Sequence, residues 1–236
     1  MTGLDDPIVD PERVIDVELG AGFAGSIWNL QVGLYRLDFR DELIPIDGGR
    51  IQEEGRLTRA NADRTLHQGI ELEGTLRPLR SFSVSGNLSV SRHRYVDHEI
   101  YAYWVDEYAG GTIRYDDNTI PRTPEVLANL TADYERGPLH LNGRLRHAGK
   151  QYVDGENTES LAIDPHTVVD LLVGYDLGDR LALPRPLRIE ARVNNVFDTL
   201  YETFGYSYYD DFPPKPFAFY WPGPTRSFFV SIGTTL

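Results

Sequence analysis

The chain has 236 residues, of which 36 are acidic and 23 are basic, and its formal net charge is −13. This acidic excess argues against a nucleic-acid partner, because phosphate neutralisation needs clustered lysine and arginine and the basic residues are scattered along the sequence. The absence of cysteine excludes a disulfide framework, a cysteine-ligated metal site and a cysteine nucleophile.

Apolar and polar residues alternate along most of the chain, which is the period of a β-strand with one apolar and one polar face. In chain order, the alternation predicts about nine long strands. They lie within residues 14–19, 28–39, 64–77, 81–95, 124–134, 139–150, 169–177, 187–193 and 225–236. Several are much longer than the roughly 5 or 6 residues usual in soluble proteins.

Two of these segments carry finer predictions. Trp28, Leu30, Val32 and Leu34 form one apolar stripe, and the move of this stripe to Leu37 and Phe39 predicts a register shift near Tyr35. In VNNVFDTLYETF, residues 193–204, the polar residues interrupt an apolar strand. The pattern predicts a strand over 187–193 and a bulge at 196–197, after which the strand continues to Tyr201.

The predicted connections alternate in length. Short links are expected at 20–25, 77–81, 135–139 and 176–186, and long links at 41–63, 96–122, 151–165 and 202–224. This asymmetry is typical of outer-membrane barrels, which have short periplasmic turns and long extracellular loops. The fold class predicted is therefore all-β, an antiparallel up-and-down transmembrane β-barrel portion. A soluble β-sandwich with aromatic binding loops, for instance a carbohydrate-binding module, has the same alternation of apolar and polar residues. It therefore remains an alternative interpretation.

Aromatic residues are concentrated in two of the long links, where ring faces can grip a ligand. The ligand-binding residues predicted are Tyr101, Tyr103, Trp104, Tyr108, Tyr206, Tyr208, Tyr209 and Trp221. The alternative is that these rings pack the loops on one another or mark the outer aromatic girdle.

The sequence contains no nucleophile elbow, Walker loop, HExxH motif or dinucleotide loop, so we predict no catalytic residue, no cofactor and no enzyme activity. His93, Asp97 and His98 could suggest a metal site, but the start of a solvated loop is the favoured interpretation of this segment. No metal ligand is predicted. The charged residues expected to face inward are expected to pair across strands: Arg144, Arg146, Arg188, Arg192, Glu71 and Glu73.

Four stretches together resemble a known family. NADRTLHQGIELEG (61–74), IPRTPEVLANLTADY (120–134), RVNNVFDTLYETF (192–204) and PGPTRSFFVSIGTTL (222–236) are similar, in order and spacing, to landmarks in the C-terminal half of TonB-dependent outer-membrane receptors. The resemblance implies a location in the outer membrane of a Gram-negative cell. It also implies active uptake of a scarce nutrient, such as an iron–siderophore chelate or cobalamin. The partners implied are a TonB-type energy-coupling protein acting through a plug domain, the barrel-assembly machinery, outer-membrane lipid and a small-molecule ligand.

Members of this family are similar in having an N-terminal plug and a 22-stranded barrel, of which this chain resembles only the end. Residues 1–236 are therefore expected to be the C-terminal portion of such a barrel, with plug and signal peptide absent from the chain. The alternative is a self-contained barrel or diffusion channel of about ten strands. That alternative needs one further strand, from residues 101–105 or 202–208.

Overall fold

The computed structural model describes residues 9–45, 59–102, 111–178, 187–210 and 215–234. Almost all of the regular structure in these residues is β-strand, and a 3-10 turn lies at Glu159–Leu161. The strands in chain order are β1 Arg13–Ala24, β2 Trp28–Pro45, β3 Arg59–Leu79, β4 Phe82–Asp97, β5 Glu99–Ala102, β6 Gly111–Arg114, β7 Val126–Arg136, β8 Leu139–Ala148, β9 His166–Asp176, β10 Leu187–Asn194, β11 Glu202–Asp210, β12 Lys215–Pro222 and β13 Ser227–Thr234. Among the described residues, no helix is long and apolar enough to cross a membrane.

Nine of the strands form one antiparallel sheet in the order β1-β2-β3-β4-β7-β8-β9-β10-β13. The predicted up-and-down meander is confirmed, since each strand pairs with its nearest main-sheet neighbour in sequence. The pairs β5–β6 and β11–β12 form two separate two-stranded sheets in the long connections. Residues 202–208 pair within the β11–β12 hairpin, so the prediction that they add a strand to the main sheet is wrong. Residues 101–102 likewise pair with β6, and residues 103–105 lie outside the described residues. Within the described residues, β1 and β13 each pair on one side only, so the sheet is open.

The connections have the predicted asymmetry. At one end of the sheet, β3 and β4 are joined at Arg80–Ser81, and β7 and β8 at Gly137–Pro138, where Gly137 has φ +57°. The turn predicted at 20–25 is misplaced, because β1 runs to Ala24 and the chain turns at 25–27. Both small hairpins lie at the opposite end, which we call the outer end because long loops are extracellular in outer-membrane barrels.

The two faces of the sheet differ in polarity. Apolar side chains line one face, which we call the outward face because such residues meet lipid in a transmembrane barrel. The cross-strand row Leu30–Gly74–Gly86–Leu130–Leu145 illustrates this face. Val230 is 74% exposed and Ile15 71% exposed on it, so the described residues place no second sheet over these side chains. This argues against the soluble sandwich.

The predicted register shift near Tyr35 is wrong. β2 pairs continuously with β3 from Trp28–Leu76 to Arg40–Arg64, so the side chains keep one alternation throughout. Leu37 and Phe39 therefore lie on the inward face, opposite to the stripe that begins at Trp28. The two faces exchange polarity along β2 while the register stays constant. In the sequence alone, such an exchange has the same pattern as a register shift.

Charged pairs cross the inward face as predicted for Arg146 and Arg188. Arg146 lies 3.0 Å from Asp170 of β9, and Arg188 lies 3.2 Å from Glu190 and 3.6 Å from Asp176. Asp176 also lies 2.6 Å from His140. These contacts are exposed or half-buried, so each contributes little to stability, but together they mark a hydrated surface.

The VNNVFDTLYETF stretch is a hydrogen-bonded corner. β10 ends at Asn194, and the predicted continuation of the strand to Tyr201 is wrong, because Asn195 and Asp198 have φ values of +50° and +56°. Asparagine and aspartate tolerate this left-handed conformation better than other side-chain-bearing residues. The polarity of the stretch therefore belongs to a turn that leaves the sheet.

The corner joins the last strand to the rest of the sheet. Asn195 is 2% exposed; its side chain accepts a hydrogen bond from the backbone N–H of Thr199 (2.9 Å) and donates to the carbonyl of Pro224 (3.0 Å). Asp198 accepts a hydrogen bond from the backbone N–H of Arg226 (2.8 Å). The buried amide and the aspartate thus fix the segment that leads into β13.

Candidate functional site

The outer end of the sheet is covered by three segments that pack on one another: residues 115–123, residues 151–163 and the β11–β12 hairpin. Asn118 donates to the carbonyl of Gly155 (2.7 Å), and the N–H of Thr119 donates to the side chain of Asn157 (2.6 Å). The hydroxyl of Tyr220 donates to the carbonyl of Leu161 (2.9 Å). Backbone and side-chain hydrogen bonds therefore bind the three segments into one assembly.

The β11–β12 hairpin carries rings on one face. Alternate positions on its two strands pair across the ladder and bring six aromatic residues together, which we call the aromatic ladder: Phe204, Tyr206, Tyr208, Phe217, Phe219 and Trp221. Ring centroids of successive neighbours lie between 5.2 Å (Phe204–Trp221) and 5.5 Å (Tyr208–Phe217) apart. Phe219 and Trp221 are 51% and 49% exposed, so the ladder offers apolar ring surface to a ligand.

The opposite face of the hairpin anchors it. Gly205 packs so closely on Val153 that a Cβ there would lie 2.8 Å from the valine side chain, and Ser207 is fully buried. Burial raises the pKa of Tyr220, with a further contribution from the charges of Glu202 and Asp154. Among the described residues, segment 151–163 packs on this face, and the opposite face carries the exposed rings of Phe219 and Trp221.

One cation, Arg122, borders the ladder, and a second, Lys150, is paired with Glu159 in the neighbouring segment. The guanidinium carbon of Arg122 lies 5.3 Å from the ring centroid of Phe204, and the Arg122 N–H donates to the carbonyl of Tyr152 (2.9 Å). Lys150 lies 2.7 Å from Glu159 and 4.6 Å from the ring centroid of Tyr152. Hydrogen bonds to Glu159 and then to Tyr152 raise the pKa of Lys150, so the ammonium stays charged. Rings with adjacent cations suit an aromatic or anionic ligand.

The structure brings three of the predicted ligand residues together, since Tyr206, Tyr208 and Trp221 all belong to the aromatic ladder. Tyr209 lies in β11 opposite Pro216, and Tyr101 lies in β5 opposite Thr112, but the placement of their side chains is not described. Tyr103, Trp104 and Tyr108 lie outside the described residues. Sequence reasoning missed Phe217 and Arg122, although the alternation of rings over 204–208 and 217–221 is a signal for the ladder.

A second cluster lies on the inward face below these segments. Glu42 bonds the hydroxyl of Thr65 and lies 3.0 Å from Nε2 of His67, and Nδ1 of His67 lies 2.9 Å from Nδ1 of His93. Simple alternation places Glu42 on the outward face. The left-handed conformation of Asp41, with φ +57°, turns Glu42 inward, so sequence periodicity could not have found this cluster.

The residues considered for a metal do not converge. His93 contacts His67, whereas Asp97 pairs with Arg114 (3.4 Å). His98 is 4% exposed and stacks on Tyr95 with ring centroids 5.1 Å apart. Burial lowers the pKa of His98, against the opposing effect of Asp63, Asp116 and Asp97. The part of the chain that the structure describes contains no group of three metal-ligating side chains placed to hold an ion.

Comparison with known proteins gives a consistent family. Residues 2–196 match the family model described as TonB dependent receptor-like, beta-barrel. The chain is 26% identical over 210 residues to the pesticin receptor of Yersinia enterocolitica, covering 86% of the chain and 27% of that receptor. It is 28% identical over 214 residues to the ferrichrome outer membrane transporter and phage receptor of Escherichia coli K12, covering 84% of the chain and 24% of that protein.

Among solved structures, the chain resembles the ferric yersiniabactin uptake receptor of Yersinia pestis with a TM-score of 0.67 and 22% sequence identity. The match covers 94% of the chain and 29% of the receptor, and at this identity it shows the fold alone. The chain thus spans about a quarter of the length of the curated relatives it matches.

Proposed function

Because the chain belongs to the family of TonB-dependent receptor β-barrels, we propose that it forms the C-terminal part of a barrel for active uptake of a scarce nutrient. Membership places the chain in the outer membrane of a Gram-negative cell, where its apolar outward face meets lipid. The open edges at β1 and β13 support the further proposal that other strands complete the barrel, because unpaired edges are costly in hydrocarbon.

The nutrient class that we propose is a metal chelate of the iron–siderophore type, or a similarly large compound such as cobalamin. The observation that carries this proposal is the aromatic ladder at the outer end, bordered by Arg122. Ring faces contribute contact area to a bulky ligand, and the guanidinium favours an anionic one. The relatives named as pesticin receptor and ferrichrome transporter support the same class.

The energy for uptake would come from a TonB-type protein that acts on the plug domain of the receptor, and insertion would use the barrel-assembly machinery. The chain contributes the wall and the ligand-contacting loops in this arrangement. Of the residues predicted from sequence to contact the ligand, Tyr206, Tyr208 and Trp221 are the ones for which the ladder supports the assignment. We propose no catalytic role.

A chimera tests the proposal. In the Escherichia coli ferrichrome transporter, the matching C-terminal segment is replaced by this chain, and cells that lack other iron uptake are supplied with a panel of ferric chelates. We expect growth on at least one chelate, with loss when Tyr206 and Trp221 are both changed to alanine. Tyr134→Ala, an outward residue near the short turns, is the matched control and should leave growth unchanged.

Surface labelling and heat-modifiable migration show whether each chimera is inserted. A chimera that is inserted and opens the membrane to small solutes but takes up no chelate would contradict the proposed uptake. Equal growth of the Tyr206→Ala/Trp221→Ala variant and the parent chimera would contradict the role of the aromatic ladder.

A further inference from the structure

Two histidines face each other across adjacent strands of the inward face. His67 of β3 pairs directly with His93 of β4, and the two Nδ1 atoms lie 2.9 Å apart. The ring centroids are 5.0 Å apart. Two N–H groups would repel each other at this separation, so at least one Nδ1 directs its lone pair toward the other ring. We call these two residues the histidine pair.

The outer nitrogen of each ring is held by a polar group. Nε2 of His67 lies 3.0 Å from a carboxylate oxygen of Glu42. Nε2 of His93 lies 2.9 Å from the hydroxyl oxygen of Ser91. Glu42 is itself bonded by the hydroxyl of Thr65, which is fully buried. Histidines that bind metal ions are oriented in the same way, with the second ring nitrogen bonded to a carboxylate or another polar group.

The histidine pair lies at the lower edge of a packed region. On the next row toward the outer end, Thr65 and Tyr95 are at most 1% exposed. The ring of Phe39 packs edge-on against His67, with the centroids 5.4 Å apart. The side chain of His67 remains 16% exposed. The packing above therefore limits the rings to small movements, while an ion can approach them from the interior of the barrel.

The inward face below the pair is acidic on these strands. Between the row of Gln31 and the row of Phe39, the inward positions of β1–β4 include four carboxylates and neither lysine nor arginine. The carboxylates are Asp16, Glu18, Glu71 and Glu73. Inward arginines are found instead on β8 and β10, at Arg144, Arg146, Arg188 and Arg192. A wall with this charge raises the local concentration of cations beside the histidine pair.

The separation of the two nitrogens matches one coordination geometry. With metal–imidazole bonds of about 2.0–2.1 Å, two nitrogens at adjacent corners of a square lie about 2.9 Å apart, against about 3.3 Å in a tetrahedron. The Nδ1 atoms of the histidine pair are 2.9 Å apart. A small tilt of each ring about χ2, which is a broad torsion, directs both lone pairs at one ion. Square and tetragonal sites of nitrogen and oxygen ligands suit Cu²⁺ or Ni²⁺, and Cu²⁺ binds more tightly.

We propose that the histidine pair chelates a divalent transition-metal ion of tetragonal geometry, Cu²⁺ before Ni²⁺, at the inward wall of the barrel. His67 keeps its Nε2 proton and donates it to Glu42, which acts as a positioning residue. His93 carries its proton on Nε2, where the hydroxyl of Ser91 accepts it, so both Nδ1 lone pairs are available to the ion. Water completes the coordination. The site goes beyond the proposed uptake, because it involves neither the aromatic ladder nor the chelate.

Copper titration of the chimera with the ferrichrome transporter, in detergent and without chelate, tests the proposal. The unmodified transporter is titrated in parallel, and heat-modifiable migration reports the folding of both proteins. We expect the chimera to bind one Cu²⁺ more than the transporter does. Pulsed EPR detects the remote nitrogen of each coordinated imidazole and should count two rings. Ni²⁺ should compete for the site, whereas Mg²⁺ and Ca²⁺ should not, because they prefer oxygen ligands.

Three variants of the chimera separate the roles of the residues. His93→Gln should weaken Cu²⁺ binding about a hundredfold or more, because the second ligand otherwise binds intramolecularly. Glu42→Gln should weaken binding by about 10- to 100-fold while the EPR count stays at two rings. The matched control is His147→Gln, which removes an outward histidine that lies 2.9 Å from Thr167. This control should bind Cu²⁺ as the parent chimera does.

Equal Cu²⁺ binding by the parent chimera and His93→Gln would overturn the proposal, and so would an EPR count of one ring in the parent. Binding no greater than that of the unmodified transporter would mean that the two histidines only share a proton. Equal loss in His147→Gln and His93→Gln would assign the copper to scattered histidines. A chimera that supports growth on a chelate but binds no additional copper would contradict this site alone, so its failure is distinct from failure of the proposed uptake.

Discussion

The polarity of the two faces is opposite at the two ends of β2–β4: the end near the short turns, which we call the lower part, and the outer part. In the lower part, Leu30, Leu72 and Leu88 face outward, and Gln31, Glu73 and Asn87 face inward. In the outer part, arginines face outward, whereas Phe39 and Tyr95 face inward. Since the strand register between Trp28 and Arg40 is unbroken, the exchange follows from a change of solvent along the barrel axis, not from a change of backbone.

The exchange creates the main buried cluster of the described chain. Ile44, Ala62, Tyr95, Tyr115 and Ile120 pack together where the loops fold against the inward face, with each at most 6% exposed. The lower inward face is instead lined by charged and amide side chains. One face of one sheet is therefore a protein core at its outer end and a hydrated wall below.

The largest expected effect comes from breaking the outer core. Tyr95→Ala removes a side chain that is 1% exposed and should cost about 3 to 5 kcal/mol of unfolding free energy, as for other aromatic-to-alanine changes. Urea titration of the detergent-solubilised chimera with the ferrichrome transporter measures it. Ser85→Ala lies on the same strand and face in the lower part and should cost less than about 0.5 kcal/mol. Similar costs for both variants would contradict the distinction between a packed core at the outer end of the inward face and a hydrated wall below it.

A charge on the outward face should separate lower from outer positions. Leu72→Arg places a guanidinium near the middle of the apolar outward face and should destabilise the chimeric barrel by about 2 to 4 kcal/mol in lipid vesicles. Leu66→Arg, on the same strand and face but nearer the outer end, opposite Arg94, should cost about 0 to 1 kcal/mol. Equal costs at the two positions would mean that Leu66 does not lie at the membrane surface.

A smaller effect is expected from a polar contact on the inward face, near the outer end of the sheet. Thr65 is fully buried and its hydroxyl bonds Glu42, so Thr65→Val should cost about 1 kcal/mol. Thr75→Val lies on the same face of β3 in the lower part and provides the control, with little change expected. Chemical denaturation compares the two, and a larger cost at Thr75 would contradict the assignment of the buried contact.

The smallest effect expected is a pH dependence of the loops over the outer core. Burial lowers the pKa of His98 below its usual value of 6.5, so protonation is disfavoured in the folded state. The stability of this region is complete above about pH 6.5 and should fall as pH drops below that value, because the unfolded state then binds more protons.

Hydrogen exchange at the N–H of Tyr115, which donates to the carbonyl of His98, reports this change. Protection corrected for intrinsic rate should decrease between pH 7.5 and pH 5.5. The decrease should disappear in His98→Phe, which keeps the stacking on Tyr95 but cannot titrate. Persistence of the pH effect in that variant would assign it to another group.

Much of the fold could be predicted because the evidence for it is local. The alternation in SFSVSGNLSVSRHRY places Val84, Leu88 and Val90 on one face without reference to any other strand. The predicted aromatic contacts were incomplete because contacts between residues distant in sequence depend on strand pairing. Tyr206, Tyr208 and Trp221 were predicted from composition, but their placement on one face with Phe217 depends on the register of the hairpin.

The sequence by itself determined the strand period, the alternation of short and long links, the apolar outward face and the family landmarks. Each of these depends on spacing along the chain, which the sequence displays directly. Only the tertiary structure decided which distant residues meet. Arg36 and Arg92 share one row because β2 and β4 both pair with β3 at Gln68, and Glu42 reaches His67 because Asp41 reverses the local alternation. Cross-strand register and backbone handedness are set by packing and hydrogen bonding between segments, and no local pattern contains them.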